Sequence, residues 1–132
     1  MPKSNPTSNT KGKTILLVED DEFLLRSYKT KFKKYDLDAM IARTGKEALA
    51  ITKKQKPDLI LLDIILPEEN GFDFLQDFND LYSKGSVPVI ALTNLGQDEN
   101  IEKGKSLGVA EYMVKAHHSM QEVVDMVLKY LK

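Results

Sequence analysis

The chain has 132 residues, of which 42% are hydrophobic and 30% are charged, values typical of one globular domain with a proper core. Its formal net charge is −1 at pH 7, so bulk electrostatics favour neither direct nucleic-acid binding nor attachment to a membrane surface. There is no cysteine, which excludes disulfides, thiolate metal ligands and thiol nucleophiles.

The N-terminal segment Met1–Gly12 is rich in proline, serine, asparagine and threonine, with no large apolar residue after Met1. Such a segment buries too little surface to offset the entropy lost on ordering. We therefore predict a flexible tail over residues 1–12 and one domain over residues 13–132. No secretory signal core and no run of membrane-spanning length is present, which favours a cytoplasmic location.

The first half of the predicted domain contains two strands, each followed by a helix. Thr14–Val18 is an apolar run without alternation, typical of a strand buried on both faces. The helix after it carries apolar residues on one face: Leu24, Leu25, Tyr28 and Phe32. Leu37–Ala42 is the second strand, and Thr44 with Glu47 has the spacing of a capping box that opens a helix through about Lys54.

The third strand, Leu59–Leu62, lies between Pro57 and Pro67, and Asp63 follows directly where the strand stops. The carboxyl ends of strands in open α/β sheets are where ligands bind, so Asp63 is a candidate nucleophile or metal ligand. Aspartate is also common as a cap of the following turn. This stretch alone fits both interpretations.

The second half continues the alternation of helix and strand. A helix from about Gly71 to Tyr82 precedes the strand Val87–Leu92, and a helix over Asp98–Leu107 follows that strand. This last helix has few apolar residues, and Gly104 interrupts it at a cost of roughly 1 kcal/mol relative to alanine. We expect it to be the most easily remodelled element of the domain.

The fifth strand, Val109–Val114, is followed by a capping box at Ser119 and Glu122 and by a C-terminal helix with an unbroken apolar stripe. Five strands therefore alternate with five helices. Strands separated by helices imply right-handed parallel crossovers. The sequence predicts a doubly wound α/β domain, one five-stranded parallel sheet of order 2-1-3-4-5 with both faces covered.

Charged and hydroxyl side chains follow four of these strands: Glu19 and Asp20 after the first, Asp63 after the third, Thr93 after the fourth and Lys115 after the fifth. Strands one and three are neighbours in this order, so three carboxylates should share one cleft. Two carboxylates ~4 Å apart repel by roughly 4 kcal/mol at an effective dielectric of about 20, so the site needs a cation. Oxygen ligands without histidine or cysteine select Mg²⁺, with Mn²⁺ as the alternative.

The motifs around these residues resemble the receiver domain of two-component response regulators. They are Val-Glu-Asp-Asp at residues 18–21, Asp-x-x-Leu-Pro-x-x-Asn-Gly at 63–71, Leu-Thr at 92–93 and Tyr-Met-Val-Lys at 112–115. The resemblance covers about Lys13 to Lys132 and implies a flavodoxin-like fold, in either a stand-alone receiver or a fragment of a longer protein. It implies a phosphorelay signalling domain, not an enzyme in the usual sense, although such domains assist their own phosphorylation and dephosphorylation.

The resemblance also implies roles for individual residues. Asp63 would accept a phosphoryl group from a phosphohistidine on a sensor histidine kinase or phosphotransfer protein. Glu19 and Asp20 match the acidic pair that holds Mg²⁺, with Asp20, Asp63 and the backbone carbonyl of Ile65 as the protein ligands. Thr93 and Lys115 would contact the phosphoryl oxygens.

Tyr112 matches the switch aromatic of the family, whose ring turns inward when Thr93 moves. In the family this movement remodels the surface of the fourth helix, fifth strand and fifth helix. That surface would bind a downstream protein target, and receivers can also form homodimers through it. The sequence does not name the kinase or the target.

Three departures from the family pattern are notable. Ala116 replaces the proline that usually follows the lysine, so Lys115 could be held differently. Asn94 replaces a small residue and could narrow access to Asp63. Ile65 and Leu95 are apolar at positions that influence dephosphorylation in the family, and apolar side chains cannot orient water, which predicts a long-lived phosphorylated form.

Three alternatives remain open from the residues alone. A nucleotide-binding module would need a phosphate loop where Glu19–Glu22 is acidic. A Mg²⁺-dependent hydrolase or topoisomerase-type domain would need Asp-x-Asp at the third strand, where position 65 is isoleucine. A degenerate receiver would serve only as a protein-binding module. His117 and His118 are interpreted as solvated loop residues because they lack partners at metal-ligand spacing.

Overall fold

The fold is described from a computed structural model, for residues 10–132. The elements in chain order are β1 (Thr14–Val18), α1 (Glu22–Lys33), β2 (Asp38–Ala42), α2 (Gly45–Lys54), β3 (Leu59–Leu62), α3 (Gly71–Leu81), β4 (Val89–Thr93), α4 (Asp98–Ser106), β5 (Glu111–Val114), a 3₁₀ turn (Lys115–His117) and α5 (Met120–Leu131). Residues 1–9 of the predicted flexible tail, residues 1–12, lie outside the described residues. Residues 10–12 do not continue a tail: they form a turn in which Thr10 is buried and the Gly12 N–H donates to the Asp36 carbonyl at 3.1 Å.

The strands form one parallel sheet of order β2-β1-β3-β4-β5, which confirms the predicted topology. Register places the strand ends at one edge: Val18 pairs with Leu62 and Ala42, and Thr93 pairs with Val114. The residues that follow β1, β3, β4 and β5 therefore meet at this edge. The topology alone brings the predicted site residues into one neighbourhood.

Alternate residues of each central strand face opposite sides of the sheet, and each side is covered by its own helices. One core layer joins Leu17 and Leu61 to α1 and α5, where Phe32 is fully buried. The other joins Leu16 and Leu62 to α2 and α3. Burial on both faces explains why these strands are continuous apolar runs.

Strand bounds differ from the prediction where the backbone could not pair. β4 begins at Val89 because Pro88 has no N–H to donate, and only its carbonyl is used, by Ile60 at 3.0 Å. The chain leaves α4 through Gly108, which has φ +95°. The first hydrogen bond to β4 is then made by the Ala110 N–H, which donates to the Val89 carbonyl at 2.8 Å, so β5 begins only at Glu111.

Helix caps largely follow the predicted signals. Ser119 and Glu122 form the reciprocal capping box at the start of α5, with bonds of 3.1 and 2.8 Å. Thr44 caps α2, but the Glu47 carboxylate accepts from Arg43 N–H at 2.7 Å, one residue before the cap, so this box is not closed in the usual way. None of the helices in residues 10–132 combines the length and apolar character needed to cross a bilayer.

The helix α4 is more weakly anchored than its neighbours α3 and α5. Its only buried residue is Gly104, and its N-cap residue Gln97 makes no capping hydrogen bond through its side chain. Few buried apolar contacts mean a low local free energy of opening. The prediction of a weak helix at this position agrees with the geometry.

Candidate functional site

Asp63 lies immediately after β3, where the sheet ends. Its N–H still donates to Val18 at 2.9 Å, and its side chain is held from two sides. Oδ1 accepts from Ile65 N–H at 2.9 Å, and Oδ2 accepts from Lys115 Nζ at 2.7 Å. Asp63 as a residue is only 6% exposed. One oxygen of Asp63 therefore caps the turn and the other pairs with Lys115, while its role as nucleophile or metal ligand stays a prediction.

Gly71 fixes the path of the loop that follows Asp63. Its N–H donates to Ile64 at 2.7 Å, and a β-carbon on Gly71 would lie 2.9 Å from the Asp63 carbonyl oxygen and from the Ile64 α-carbon. Such distances do not occur for real β-carbons, so any side chain here would displace the backbone that carries Asp63. The sequence predicted a helix from about Gly71 but carried no signal for this contact.

Glu19 and Asp20 follow β1 and differ in environment. Glu19 is 4% exposed, and its Oε2 accepts from the N–H groups of Asp20 and Asp21 at 3.1 and 3.0 Å. Asp20 is exposed. Burial raises the pKa of Glu19 above its ordinary value, although the hydrogen bonds from Lys115 and Asp21 act against that shift. Glu19 is thus a fixed carboxylate and Asp20 an accessible one.

The three predicted carboxylates do converge. Glu19, Asp20 and Asp63 each offer an oxygen atom, and these atoms lie within 4.8 Å of one another. All are hard oxygen donors, which fits Mg²⁺ or Mn²⁺ and not a metal that prefers nitrogen or sulfur. Together with Lys115 and Asn94 they line a cleft of ≈ 470 Å³.

Lys115 bridges two of these carboxylates. Its Nζ lies 2.8 Å from Glu19 Oε1 and 2.7 Å from Asp63 Oδ2, and its side chain is 20% exposed. Burial lowers the pKa of Lys115, but the bonds to Asp63 and Glu19 outweigh it and raise the pKa above the ordinary value. The sequence predicted that the three acids need a cation. The ammonium group of Lys115 supplies part of that positive charge.

Thr93 and Tyr112 lie beside the cleft on β4 and β5. Thr93 is fully buried, and its hydroxyl oxygen lies 3.4 Å from Leu95 N–H. The Tyr112 hydroxyl donates to the Leu95 carbonyl, and its ring lies against Gly104. Burial, followed by the charge of Asp63, raises the pKa of Tyr112.

Two residues that depart from the family pattern contact each other. Ala116 N–H donates to Asn94 Oδ1 at 3.1 Å, and the peptide bonds of residues 10–132 contain no cis bond. Whether this contact changes how Lys115 is held relative to the family stays a prediction. No pattern in the sequence predicted the hydrogen bond between Ala116 and Asn94.

Comparison with known proteins agrees with this geometry. The family model described as "Response regulator receiver domain" matches residues 15–128, and the chain belongs to this family. It is therefore a signalling domain of two-component systems, which decides for the receiver over the nucleotide-binding and hydrolase alternatives.

The relatives include both short and longer proteins. The polar-differentiation response regulator DivK of Brucella anthropi is 30% identical over 122 residues, 90% of this chain and 96% of that protein. The probable transcriptional regulator ycf27 of Porphyridium aerugineum is 33% identical over 101 residues, 76% of this chain but 41% of that protein. The chain thus spans less than half the length of this curated relative.

Solved receiver domains share the fold closely. The non-phosphorylated HemR receiver domain from Leptospira biflexa has a TM-score of 0.84 at 28% identity, over 91% of this chain and 94% of that one. The BeF3-activated receiver domain of RstA from Klebsiella pneumoniae has a TM-score of 0.80 at 27% identity, over 91% of this chain and 99% of that one.

Proposed function

We propose that this receiver domain accepts a phosphoryl group on Asp63 in a Mg²⁺-dependent reaction. The single observation that carries the proposal is the convergence of three carboxylates and one ammonium group around a carboxylate at a strand end. An ion pair that only stabilised the fold would not need three carboxylates around one lysine at the edge of the sheet where ligands bind. The surplus negative charge calls for a divalent ion, and phosphoryl transfer is chemistry that uses one.

Asp63 is the group that reacts. An oxygen of its carboxylate forms a bond to phosphorus while the bond from phosphorus to the leaving group breaks, and the leaving nitrogen of a phosphohistidine keeps the electron pair and takes a proton from solvent. The hydrogen bonds from Ile65 and Lys115 fix the carboxylate beforehand, so little orientation entropy is lost in the reaction.

Asp20, Asp63 and the Ile65 backbone carbonyl would hold the metal, with Glu19 supporting it from the buried side. Bound there, Mg²⁺ would neutralise charge that develops on the phosphoryl oxygens. Glu19 suits the supporting role because two backbone N–H groups and Lys115 already fix its position. Asp20 suits direct binding because it is exposed to the cleft.

Lys115 and Thr93 would stabilise the product. Lys115 exchanges its bond to Asp63 for one to a phosphoryl oxygen, which keeps the ammonium group paired. Thr93 would donate its hydroxyl to a second phosphoryl oxygen. Since Thr93 is fully buried, that movement would open space for Tyr112 to turn inward.

The inward turn of Tyr112 would alter the face formed by α4, β5 and α5. The poor anchoring of α4 supports this step, because an element with one buried residue is repositioned at low cost. The altered face would bind the downstream protein target. A sensor histidine kinase or phosphotransfer protein would be the donor, in the cytoplasm.

Incubation with Mg²⁺ and acetyl phosphate, followed by intact mass measurement, tests the proposal. The wild type should gain the mass of one phosphoryl group, and Asp63→Asn should not. Asp77→Asn, which changes an exposed carboxylate on α3, is the matched control and should still gain it. Gain in no variant would favour the degenerate receiver that only binds partners, and equal gain in Asp63→Asn would show that another residue is the acceptor.

A further inference from the structure

The hydrogen bond between Asn94 and Ala116 lies just beyond the end of the sheet. The last ladder pair between β4 and β5 is Thr93 with Val114. One residue past β4, Asn94 Oδ1 accepts from Ala116 N–H at 3.1 Å. The side chain thus continues the connection between the two chain segments where the backbone ladder has stopped.

The segment that this bond holds carries Lys115. That residue begins a three-residue 3₁₀ turn, which has no side-chain cap at its start and contains a long bond of 3.4 Å from His118 N–H to the Lys115 carbonyl. Such a turn fixes its own backbone poorly. The position of Lys115 therefore depends on what holds the turn from outside.

We propose that Asn94 is a positioning residue, which holds the backbone at Ala116 so that the Lys115 ammonium group reaches both Glu19 and Asp63. The bond requires a backbone N–H at position 116, to which the Asn94 amide oxygen accepts. Ala116 supplies this N–H, whereas a proline at position 116 would not. The effect on phosphorylation rests on the proposed function, but the positioning itself does not.

A steric role for Asn94 makes the opposite prediction. Asn94 also lines the cleft, so a side chain that only narrowed the entrance would slow the arrival of a phosphodonor. Truncation would then speed phosphorylation. Under the positioning role, truncation slows it, because Lys115 is less often in place to stabilise the transferring group.

The first test uses the full chain without any phosphodonor. The amide of Ala116 is followed by ¹H–¹⁵N NMR and by hydrogen exchange in the wild type, Asn94→Ala and Asn94→Asp. Loss of one exposed hydrogen bond should speed exchange at Ala116 about 2- to 10-fold in Asn94→Ala. Asn94→Asp keeps the acceptor oxygen and should retain the slow exchange. Unchanged exchange in Asn94→Ala overturns the proposal.

The second test measures phosphorylation by acetyl phosphate with Mg²⁺. In Asn94→Ala the rate constant at saturating donor should fall about 2- to 10-fold, with little change in the half-saturating donor concentration. Gln97→Ala, in the same loop and without a side-chain capping bond, is the control and should behave as the wild type. A faster or unchanged rate in Asn94→Ala overturns the positioning role. Absence of phosphorylation in the wild type overturns the proposed function instead, and the exchange measurement still decides the role of Asn94.

Discussion

The ring of Tyr112 lies against the backbone of Gly104 on α4. A β-carbon added at Gly104 would meet the ring at 3.0 Å from Cδ2 and 3.1 Å from Cε2. Such contacts are tighter than nine in ten real β-carbon contacts, so the ring would have to shift by a few tenths of an ångström, and the glycine provides the space that it occupies here. The hydroxyl bond to the Leu95 carbonyl holds the ring in the same place. The residue that weakens α4 is therefore also the one that accommodates the ring.

Gly104→Ala should bias Tyr112 away from α4 and towards the phosphorylated arrangement. The methyl group takes the space of the ring, while the helix itself gains about 1 kcal/mol in propensity. The ring resonances of Tyr112 in the unphosphorylated variant should shift towards those of the phosphorylated wild type, as measured by aromatic NMR. Lys105→Ala, an exposed change on the same helix, should leave them in place. Wild-type ring resonances in Gly104→Ala would contradict the prediction.

Lys115→Met should destabilise the metal-free protein at neutral pH by about 3 kcal/mol, because two nearly buried carboxylates lose their cation. The loss should depend on pH. Burial raises the pKa of Glu19 above its ordinary 4.5, so the folded state binds this proton more tightly, and stability falls as pH rises from 4.5 through the folded pKa. Removal of the ammonium group raises that pKa further, and the loss should therefore grow from acid to neutral pH.

Urea unfolding of the wild type and Lys115→Met at several pH values measures this difference. Lys53→Met, on the exposed side of α2, is the matched control for loss of one lysine charge. A deficit of equal size at acid and neutral pH would mean that Lys115 contributes by packing and not by pairing with the carboxylates.

Mg²⁺ should stabilise the wild type and not Asp20→Asn. A ligand that binds only the folded state adds about 1.4 kcal/mol at ten times its dissociation constant. Asp20 is exposed, so its replacement should cost little by itself while removing one metal ligand. Thermal unfolding with MgCl₂ and with NaCl of equal ionic strength makes the comparison. An equal shift in both salts would indicate a general salt effect, and an equal shift in both proteins with MgCl₂ alone would show that Asp20 does not bind the ion.

The sheet edge and its acids were predictable because they depend on topology. Apolar runs such as Leu59–Leu62 identify buried strands, alternation with helices fixes them as parallel, and parallel strands end at one edge. Asp63 and Glu19 had to meet once the strand order was known. No detail of side-chain conformation was needed for that conclusion.

The bonds within the site were not predictable in the same way. The Lys115 bridge between two acids and the bond from Ala116 to Asn94 depend on the path of loops beyond the strand ends, which periodicity does not describe. The same holds for Glu47, which bonds to Arg43 and not to the expected cap residue. Short polar side chains choose among several nearby backbone partners, and only the folded geometry selects one.

If Asp63 is the phosphoacceptor as proposed, the side chains around it predict a phosphorylated form that outlasts minutes. Ile65 lies at the cleft with 53% of its surface exposed, and its N–H is already used by Asp63 Oδ1. Leu95 presents its carbonyl to Tyr112. Neither apolar side chain can orient water for attack on the phosphorus.

Ile65→Asn should therefore shorten the lifetime of the phosphorylated form on the order of tenfold, because an amide can hold a water molecule in line without acting as a true general base. The measurement is the decay of the phosphorylated mass after removal of acetyl phosphate, with Mg²⁺ present. Leu81→Asn makes the same apolar-to-amide change at an exposed position on α3 and should decay as the wild type does. A wild-type form lost within minutes, or equal decay in Ile65→Asn, would show that another group orients the water.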